Sequence, residues 1–277
     1  MSDDSYFLKN LDQYKSPTGG HYTNLEILQS LNNDLSNFPW ERFATEDGNT
    51  GVVCHLLDNI GAEFKFALDI GAYSKLASNV VPISARYGAR ALLLDGENKH
   101  NDPDVAKVWI TKENICELLS NFGAPKKMDF ISLDIDNMDY WILKSLFDGG
   151  YTSNVLIAEF NPAFSYDEAY TKDYFSDATK NGPYTAGSSN YGASLGALTK
   201  LANSFDYNLI HVMTNNAIFL KRKFDVQEMF ANQSEVLKKL HPEPYIEPHK
   251  KVANERKYDT SDLSEVRKLL KETFVSV

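Results

Sequence analysis

Short apolar runs alternate with longer amphipathic stretches through the middle of the 277-residue chain. Each run stops at a polar residue or a glycine after about four to eight positions, which is typical of buried strands. The stretches between the runs have the length and spacing of helices. This alternation predicts seven strands, at 64–69, 89–94, 106–110, 129–135, 154–160, 207–214 and 216–222.

The connections between these strands indicate the fold class. The first five strands alternate with helical stretches, so parallel pairing with right-handed crossovers is expected. Only a tight turn at Asn215-Asn216 separates the last two strands, which must therefore form an antiparallel hairpin. The pattern predicts an α/β fold with a Rossmann-like sheet, in which a C-terminal hairpin closes five parallel strands.

The chain is expected to consist of a core domain with a helical extension at each end. The boundaries place the N-terminal extension at 1–63, the core at 64–223 and the C-terminal extension at 224–277. The C-terminal extension could cover a ligand site, mediate a homodimer or pack on the sheet, and packing is favoured. The helices predicted in the extensions and in the last crossover are Asn24–Leu35, 51–62, Ala193–Phe205, Asp225–Leu240 and Ser261–Phe274.

Composition narrows the classes of partner. The net charge is −10, which argues against a broad nucleic-acid interface because such an interface needs clustered Lys and Arg. The start of the chain lacks the basic and apolar segments of a signal peptide, and no apolar run approaches the ~18 residues of a membrane span. We therefore expect a cytoplasmic protein with a small-molecule substrate. Cys54 and Cys116 have no disulfide or metal-site spacing and are expected to be ordinary helical residues.

The first predicted strand ends in a loop suited to a ligand. Asp69 ends the strand, and Gly71 allows close backbone approach where the chain turns away from it. Ser78 or Asn79 is expected to cap the following helix, whose free N–H groups would face a carboxylate. The loop lacks the G-x-G-x-x-G pattern of a dinucleotide site, and an ordinary strand-to-helix turn is the alternative.

Two further strand ends carry polar residues that fit a nucleoside. Asp95 and Glu97 follow the second strand, where one carboxylate could accept hydrogen bonds from ribose hydroxyls, as it would for NAD. Thr111 is expected to cap a helix beginning near Lys112. Trp109 precedes it and is either a surface for an adenine ring or a core residue.

An acidic run follows the fourth predicted strand. Period-two alternation would place Asp134 and Asp136 on one side, beside Glu159 and Asn161 at the end of the next strand. Such oxygen ligands suit Mg²⁺ or Ca²⁺, and a divalent ion would activate a substrate hydroxyl. The alternative is that Asp134 faces a cofactor amino group while Asp136 or Asp139 caps the next helix.

Two other features of the core bear on chemistry. His211, in the sixth strand, is either a general base or a core histidine. The segment 181–192 is rich in Gly, Ser and Tyr, and a loop of this length between a strand and a helix is the best candidate for a substrate lid.

The chain resembles the FkbM-type class I S-adenosylmethionine (SAM) methyltransferases over roughly residues 64–223. Five parallel strands closed by a hairpin are the pattern of the class I enzymes. The residues that carry the resemblance are Asp69-Ile-Gly-Ala-Tyr73, Ser78-Asn79, Leu94-Asp-Gly-Glu97, Thr111-x-Glu-Asn-Ile115, Asp129-x-Ile-Ser-Leu-Asp-Ile-Asp-Asn-Met-Asp-Tyr-Trp141, Glu159-Phe-Asn-Pro162, Gly192-Ala-Ser-Leu195 and Asn216-Ala-Ile-Phe219.

The resemblance implies a cytoplasmic enzyme that uses SAM to methylate a hydroxyl of a sugar or another small molecule. Catalytic roles are expected for Asp134, Asp136 and His211, and Asp134, Glu159 and Asn161 are expected to hold a Mg²⁺ ion. The layout of Asp134 and Glu159 is also similar to that of metal-dependent macrolide-sugar O-methyltransferases, whose metal ligands lie at these two strand ends. The residues expected to bind SAM are Asp69, Gly71, Tyr73, Asn79, Asp95, Glu97, Thr111 and Asp134.

The sequence departs from the family pattern at two places. Ser74-Lys75 follows Tyr73 where the family has Asp-Gly, and Asn137 replaces a glycine after Asp136, where Asn tolerates a left-handed backbone. These changes motivate an alternative function, a non-catalytic SAM- or nucleoside-binding partner subunit. An NAD-dependent oxidoreductase is disfavoured by the missing glycine fingerprint and the terminal hairpin.

Overall fold

The computed structural model describes residues 49–61, 64–75, 77–98, 101–174, 190–228, 230–244 and 263–277. Three predictions lie wholly or mostly outside these residues: the helix Asn24–Leu35, most of the 181–192 loop, and the start of the helix Ser261–Phe274. The described part of that last helix begins at Leu263.

The structure contains seven α-helices and nine strands within the described residues. The helices are α1 (Asn49–Ile60), α2 (Val80–Tyr87), α3 (Ile115–Asn121), α4 (Asp139–Asp148), α5 (Leu195–Ser204), α6 (Gln233–Leu240) and α7 (Leu263–Thr273). The strands are β1 (Phe66–Ile70), β2 (Arg90–Asp95), β3 (Val105–Lys107), β4 (Lys127–Leu133), β5 (Thr152–Glu159), β6 (Tyr170–Lys172), β7 (Tyr207–Met213), β8 (Asn216–Lys221) and β9 (Phe274–Ser276).

Seven of these strands form one mostly parallel sheet in the order β3-β2-β1-β4-β5-β8-β7. Strand β1 pairs in parallel with both β2 and β4, and β2 pairs in parallel with β3. Strands β7 and β8 form the predicted antiparallel hairpin. The α/β class is therefore confirmed, and the sheet is compatible with a Rossmann-like fold.

Local boundaries differ from the prediction where a turn or a cap intervenes. The hairpin turn is Thr214-Asn215, and not Asn215-Asn216, because Asn216 already pairs with Met213. The helix predicted over Asp225–Leu240 is wrong in its first half. Helix α6 begins only at Gln233, because the Asn232 side chain accepts the Glu235 N–H and starts a new helix there.

The small second sheet was not predicted. Strands β6 and β9 pair antiparallel, so the last residues of the chain pair with a segment that follows β5. Phe274 starts β9 and packs with Leu270 against Ala163 and Phe164. Residues 263–277 of the C-terminal extension are thus anchored by strand pairing and apolar packing.

The chain divides into two compact units that interleave along the sequence. The first comprises Met1–Ile110, Asn114–Leu133 and Gly149–Ile157, and the second comprises Thr111–Glu113, Asp134–Asp148 and Ala158–Val277. In the first, the aliphatic side chains of β1, β2 and α2 are buried. In the second, the buried residues include the aromatic rings of Phe160, Phe164, Tyr207 and Phe219.

Candidate functional site

The end of β1 in the first unit is built around the buried carboxylate of Asp69. The Ser78 hydroxyl donates a hydrogen bond to it, and burial raises the pKa of Asp69 to about 6. The same Ser78 oxygen accepts the N–H groups of Val80 and Val81 at 3.1 and 3.3 Å, so Ser78 caps α2. Asn79 has a helical backbone and donates to Ser132 Oγ at 3.3 Å.

The loop after β1 turns through two residues with a left-handed backbone. Gly71 has φ +88°, and its N–H donates to the Leu94 carbonyl at 2.8 Å. Tyr73 has φ +51°, a conformation that bulky residues seldom adopt, and 47 % of its surface is exposed. Such a conformation persists only where the surroundings enforce it, and it often marks a functional loop.

Asp95, at the end of β2, connects the loop after β1 to the loop after β2. Its carboxylate accepts the N–H of Tyr73 at 3.1 Å and that of Glu97 at 2.8 Å, and it also accepts the N–H of Asn98. The Glu97 side chain is exposed. Of the two carboxylates proposed for ribose, Asp95 therefore organises the loops and Glu97 is the one open to solvent.

Trp109 lies over this second loop. A Cβ added at Gly96 would meet the Trp109 ring at 3.0 and 3.3 Å, so the indole packs directly on the glycine. The ring is 52 % exposed, which excludes the reading of Trp109 as a core residue. An exposed aromatic face beside two loops of polar groups is a suitable surface for a planar ring.

Thr111 does not have the predicted capping role. Helix α3 begins at Ile115, and Asn114 occupies its N-cap position without a side-chain cap. The Asn114 amide instead donates to the Trp109 carbonyl at 2.9 Å, within the first unit. Thr111 belongs to the second unit.

Three carboxylates come together in the second unit. Ligand oxygens of Asp134, Asp136 and Glu159 all lie within 4.8 Å of one another. Strand alternation does not cause this, because β4 ends at Leu133 and both aspartates lie beyond it. Both aspartates lie in the loop after β4, where the backbone turns at Asp136, which has φ +68°. The residue with the left-handed backbone is therefore Asp136, and not Asn137 as the sequence suggested.

A fourth carboxylate, that of Asp139, is close enough to feel the charge of Asp134. We call the four residues Asp134, Asp136, Asp139 and Glu159 the acidic loop cluster. Asp139 is fully buried; its Oδ1 accepts the Ile135 N–H at 2.9 Å, and its Oδ2 has no hydrogen-bond partner among the described residues. Burial, followed by the charge of Asp134, raises the pKa of Asp139 well above its ordinary value.

Glu159 is supported by the hairpin turn. The Asn215 amide donates to Glu159 Oε1 at 2.6 Å, and the Phe160 N–H donates to the Asn215 carbonyl at 2.7 Å. The turn between β7 and β8 therefore fixes the direction of this carboxylate. The sequence contains no signal for this contact beyond the turn itself.

The Asn161 side chain bonds to two backbone groups, and His211 does not belong to the three-carboxylate group. The Asn161 amide donates to the Tyr191 carbonyl at 2.9 Å, and its oxygen accepts the Ala163 N–H at 3.0 Å. His211 is half-buried in β7, opposite Ile218. Among the described residues, the carboxylate cluster does not include a histidine.

Lys172, which sequence reasoning missed, contacts the acidic loop. It lies in β6 with 7 % of its surface exposed, and burial lowers the pKa of its amine. Its Nζ donates to the Asn190 carbonyl at 3.0 Å and lies 3.4 Å from Asn137 Oδ1. A single buried lysine in an otherwise unremarkable sequence carries no pattern that would have identified it.

An aromatic cluster follows the acidic loop in the second unit. The Trp141 and Tyr174 rings meet edge to face with centroids 6.0 Å apart, and Lys112 Nζ lies 3.7 Å from the Tyr174 centroid. The Tyr174 hydroxyl donates to Glu113, and burial together with this hydrogen bond raises the pKa of Tyr174 to about 12. The cluster is half-exposed, so it offers apolar and polar surface to a small molecule.

Comparison with known proteins does not assign the chain to a family. No protein-family model matches the chain, and no curated protein sequence matches it. Within the described residues, none of the helices combines the length and the apolar character that a membrane crossing requires.

Proposed function

We propose that the protein is a SAM-dependent methyltransferase that methylates a hydroxyl group of a small molecule, with a divalent cation at the acidic loop cluster. The observation that carries the proposal is the pair of loops after β1 and β2. Asp95 connects the two loops by hydrogen bonds, Trp109 packs on Gly96 of the second loop, and the Glu97 side chain in the same loop is exposed.

The first unit contains groups of the kinds that bind an adenosyl ligand. The Trp109 face would take the adenine ring by stacking, and the Glu97 carboxylate would accept hydrogen bonds from the ribose hydroxyls. Gly71 leaves room for close backbone approach at the end of β1. The loop lacks the glycine pattern for a pyrophosphate, so a nucleoside fits better than a dinucleotide.

The second unit offers a donor set that fits Mg²⁺. Three carboxylates converge within 4.8 Å, which is costly unless a cation, protons or solvent offsets their repulsion. The buried Asp139 oxygen beside them supports the same reading. A divalent cation bound there would lower the pKa of an acceptor hydroxyl.

The residues of the chain would contribute mainly by positioning. Asp134 is exposed and Asp136 is half-buried, so both can contact a bound acceptor. The Asn215 amide donates a hydrogen bond to the Glu159 carboxylate and orients it. Methyl transfer needs an aligned approach of acceptor oxygen and methyl carbon, and much of the rate comes from holding that geometry. The acceptor proton leaves as the new C–O bond forms and the C–S bond breaks. Asp136 is the proposed proton acceptor, because it belongs to the cluster at which the acceptor would bind, whereas His211 does not.

Isothermal titration calorimetry with SAM and S-adenosylhomocysteine tests the proposal. Micromolar binding of both is expected, and Trp109→Ala should weaken it at least tenfold because the stacking surface is lost. Tyr166→Ala, which removes an exposed aromatic ring elsewhere in the second unit, is the matched control for the loss of an exposed ring. Failure of the wild-type protein to bind either compound would overturn the proposal.

One observation favours a second function, a SAM-binding subunit without turnover. Ser74-Lys75 stands after Tyr73, where the FkbM-type enzymes have Asp-Gly. The Lys75 N–H donates to Asp102 at 3.0 Å, and the Lys75 Nζ pairs with Asp104 at 2.7 Å. The loop could therefore bind a nucleoside yet hold the methyl group poorly. This alternative predicts SAM binding without release of S-adenosylhomocysteine in the presence of any acceptor.

A further inference from the structure

Lys172 connects three segments of the second unit. Its backbone N–H donates to the Gly192 carbonyl at 3.1 Å, and its carbonyl accepts the Trp141 indole N–H at 2.8 Å. Its ammonium group reaches the Asn190 carbonyl and the Asn137 side chain. Strand β6, helix α4 and the loop from Asp134 to Asn137 therefore meet at one residue.

The contact with Asn137 matters because this residue follows Asp136 directly. Asn137 is buried, and its N–H donates to the Ile135 carbonyl at 2.9 Å across the left-handed Asp136. Asp134 and Asp136 are the residues directly before and after Ile135 in this tight loop. A force that holds the Asn137 side chain in place therefore also sets the directions of the two carboxylates.

The backbone around Lys172 is fixed independently of its charge. Strand β9 pairs with β6 and places Phe274 opposite Lys172, and the Ala193 backbone bridges to Thr171. Gly192, which is hydrogen-bonded to Lys172, also lies close to the loop: a Cβ on Gly192 would lie 3.9 Å from the Asp136 carbonyl oxygen. The ammonium group is thus held against the loop by a rigid support.

We propose that Lys172 is a positioning residue for the acidic loop, acting through Asn137 to set the directions of Asp134 and Asp136. The inference rests on the proposed function in assigning a cation to these carboxylates. A buried lysine is costly to maintain, because its charge must be desolvated. Its retention next to the loop is explained if the ammonium holds the loop in its binding-competent form.

The sign of the effect on cation binding distinguishes positioning from simple electrostatics. Removal of a positive charge near a cation site would, by Coulomb's law alone, strengthen the binding of a divalent cation. Loss of a residue that orients ligands weakens metal binding, by about 10- to 100-fold where such supports have been removed. Lys172→Met, which keeps the unbranched apolar stem as far as the ε position and removes the charged amine, is therefore the informative variant.

Mn²⁺ binding followed by electron paramagnetic resonance provides the first measurement. Lys172→Met should raise the Kd for Mn²⁺ at least tenfold, and Lys172→Arg should recover most of the loss. Asn137→Ala should have a similar effect, and the double variant should be no worse than either single one, because both act on the same contact. Lys144→Met is the matched control, since Lys144 pairs with Asp148 on the exposed face of α4.

Amide hydrogen exchange of the metal-free proteins provides the second measurement and does not depend on the proposed function. The N–H groups of Ile135 and Asn137 should exchange faster in Lys172→Met and return to the wild-type rate in Lys172→Arg. Unchanged exchange, or tighter Mn²⁺ binding in Lys172→Met, would overturn the positioning role. If wild-type protein binds no Mn²⁺ but exchange responds as expected, the cation at the cluster fails while the role of Lys172 stands.

Discussion

At the scale of single residues, carboxylates that look alike in the sequence have different surroundings. Asp69 is buried beneath Ser78, Asp95 accepts three backbone N–H groups, and Glu97 is exposed. The sequence predicted that acidic residues would end these strands, because a strand-end pattern is local. It left open which carboxylate faces a ligand, because that depends on contacts between loops that lie far apart along the chain.

Substitution of Glu97 and Asp95 separates ligand contact from loop structure. Glu97→Gln should leave the melting temperature unchanged and weaken SAM binding about tenfold, because a charged acceptor of ribose hydrogen bonds is lost. Asp95→Asn should destabilise the protein by about 1–3 kcal/mol, since its amide cannot accept all three N–H groups. Thermal unfolding and calorimetric titration of both variants check this. Unaltered SAM binding by Glu97→Gln would remove that residue from the ribose site.

Asp69 should make stability depend on pH. Its pKa is about 6 in the folded protein, above its value in the unfolded chain, so the folded state binds more protons between about pH 4 and pH 6. This contribution to stability is present at low pH and is lost as pH rises through that window. The unfolding free energy of wild type, relative to that of Asp69→Asn, should therefore fall by about 2 kcal/mol from pH 4.5 to pH 7.5.

Urea denaturation of both proteins at the two pH values, in the presence of EDTA, checks this prediction. Asn keeps an oxygen that can accept the Ser78 hydroxyl, so the variant retains the contact without the ionisation. The buried Asp139 titrates in both proteins and cancels in the comparison. A free-energy difference that is the same at both pH values would contradict the shift assigned to Asp69.

At the scale of elements, the small sheet shows what periodicity misses. Strands β6 and β9 have three residues each, too few for alternation to appear, and β9 directly follows a helix. Their pairing joins positions about a hundred residues apart, which a local pattern does not report. The Glu168 carboxylate, which pairs with Arg267 and Lys271 of α7, reinforces the same attachment.

Phe274 should anchor the C-terminal element. Phe274→Ala would leave a cavity beside Phe164 and Leu270, at a cost of about 3–5 kcal/mol, and would loosen the pairing of β9 with β6. Urea denaturation should show the loss, and amide exchange at Thr171, which pairs with Val275 of β9, should speed up. Val226→Ala, at a side chain that is 84 % exposed, should change neither. Slow exchange in β6 despite the substitution would show that β9 does not hold the strand.

At the scale of the whole molecule, topology was the most predictable feature. The alternation of strands and helices with short connections restricts the parallel strands to a few orders, and a two-residue turn forces the hairpin. The site was less predictable. The convergence of Asp134, Asp136 and Glu159 was expected from neighbouring strand ends, but the supporting roles of Asn215, Asp139 and Lys172 arise from tertiary contacts that leave no sequence pattern.

Removal and return of metal tests whether those converging carboxylates act together. If they bind Mg²⁺ in the native state only, the ion should stabilise the fold by about 2.7 kcal/mol at a concentration a hundred times its Kd. EDTA should therefore lower the melting temperature of purified protein, and excess Mg²⁺ should restore it. Asp136→Asn should abolish the response, because one of three charged ligands becomes neutral. Asp167→Asn, at an exposed carboxylate of the same unit, should keep it. A wild-type melting temperature indifferent to both reagents would mean that the cluster is solvated, and that the acceptor is bound without a metal.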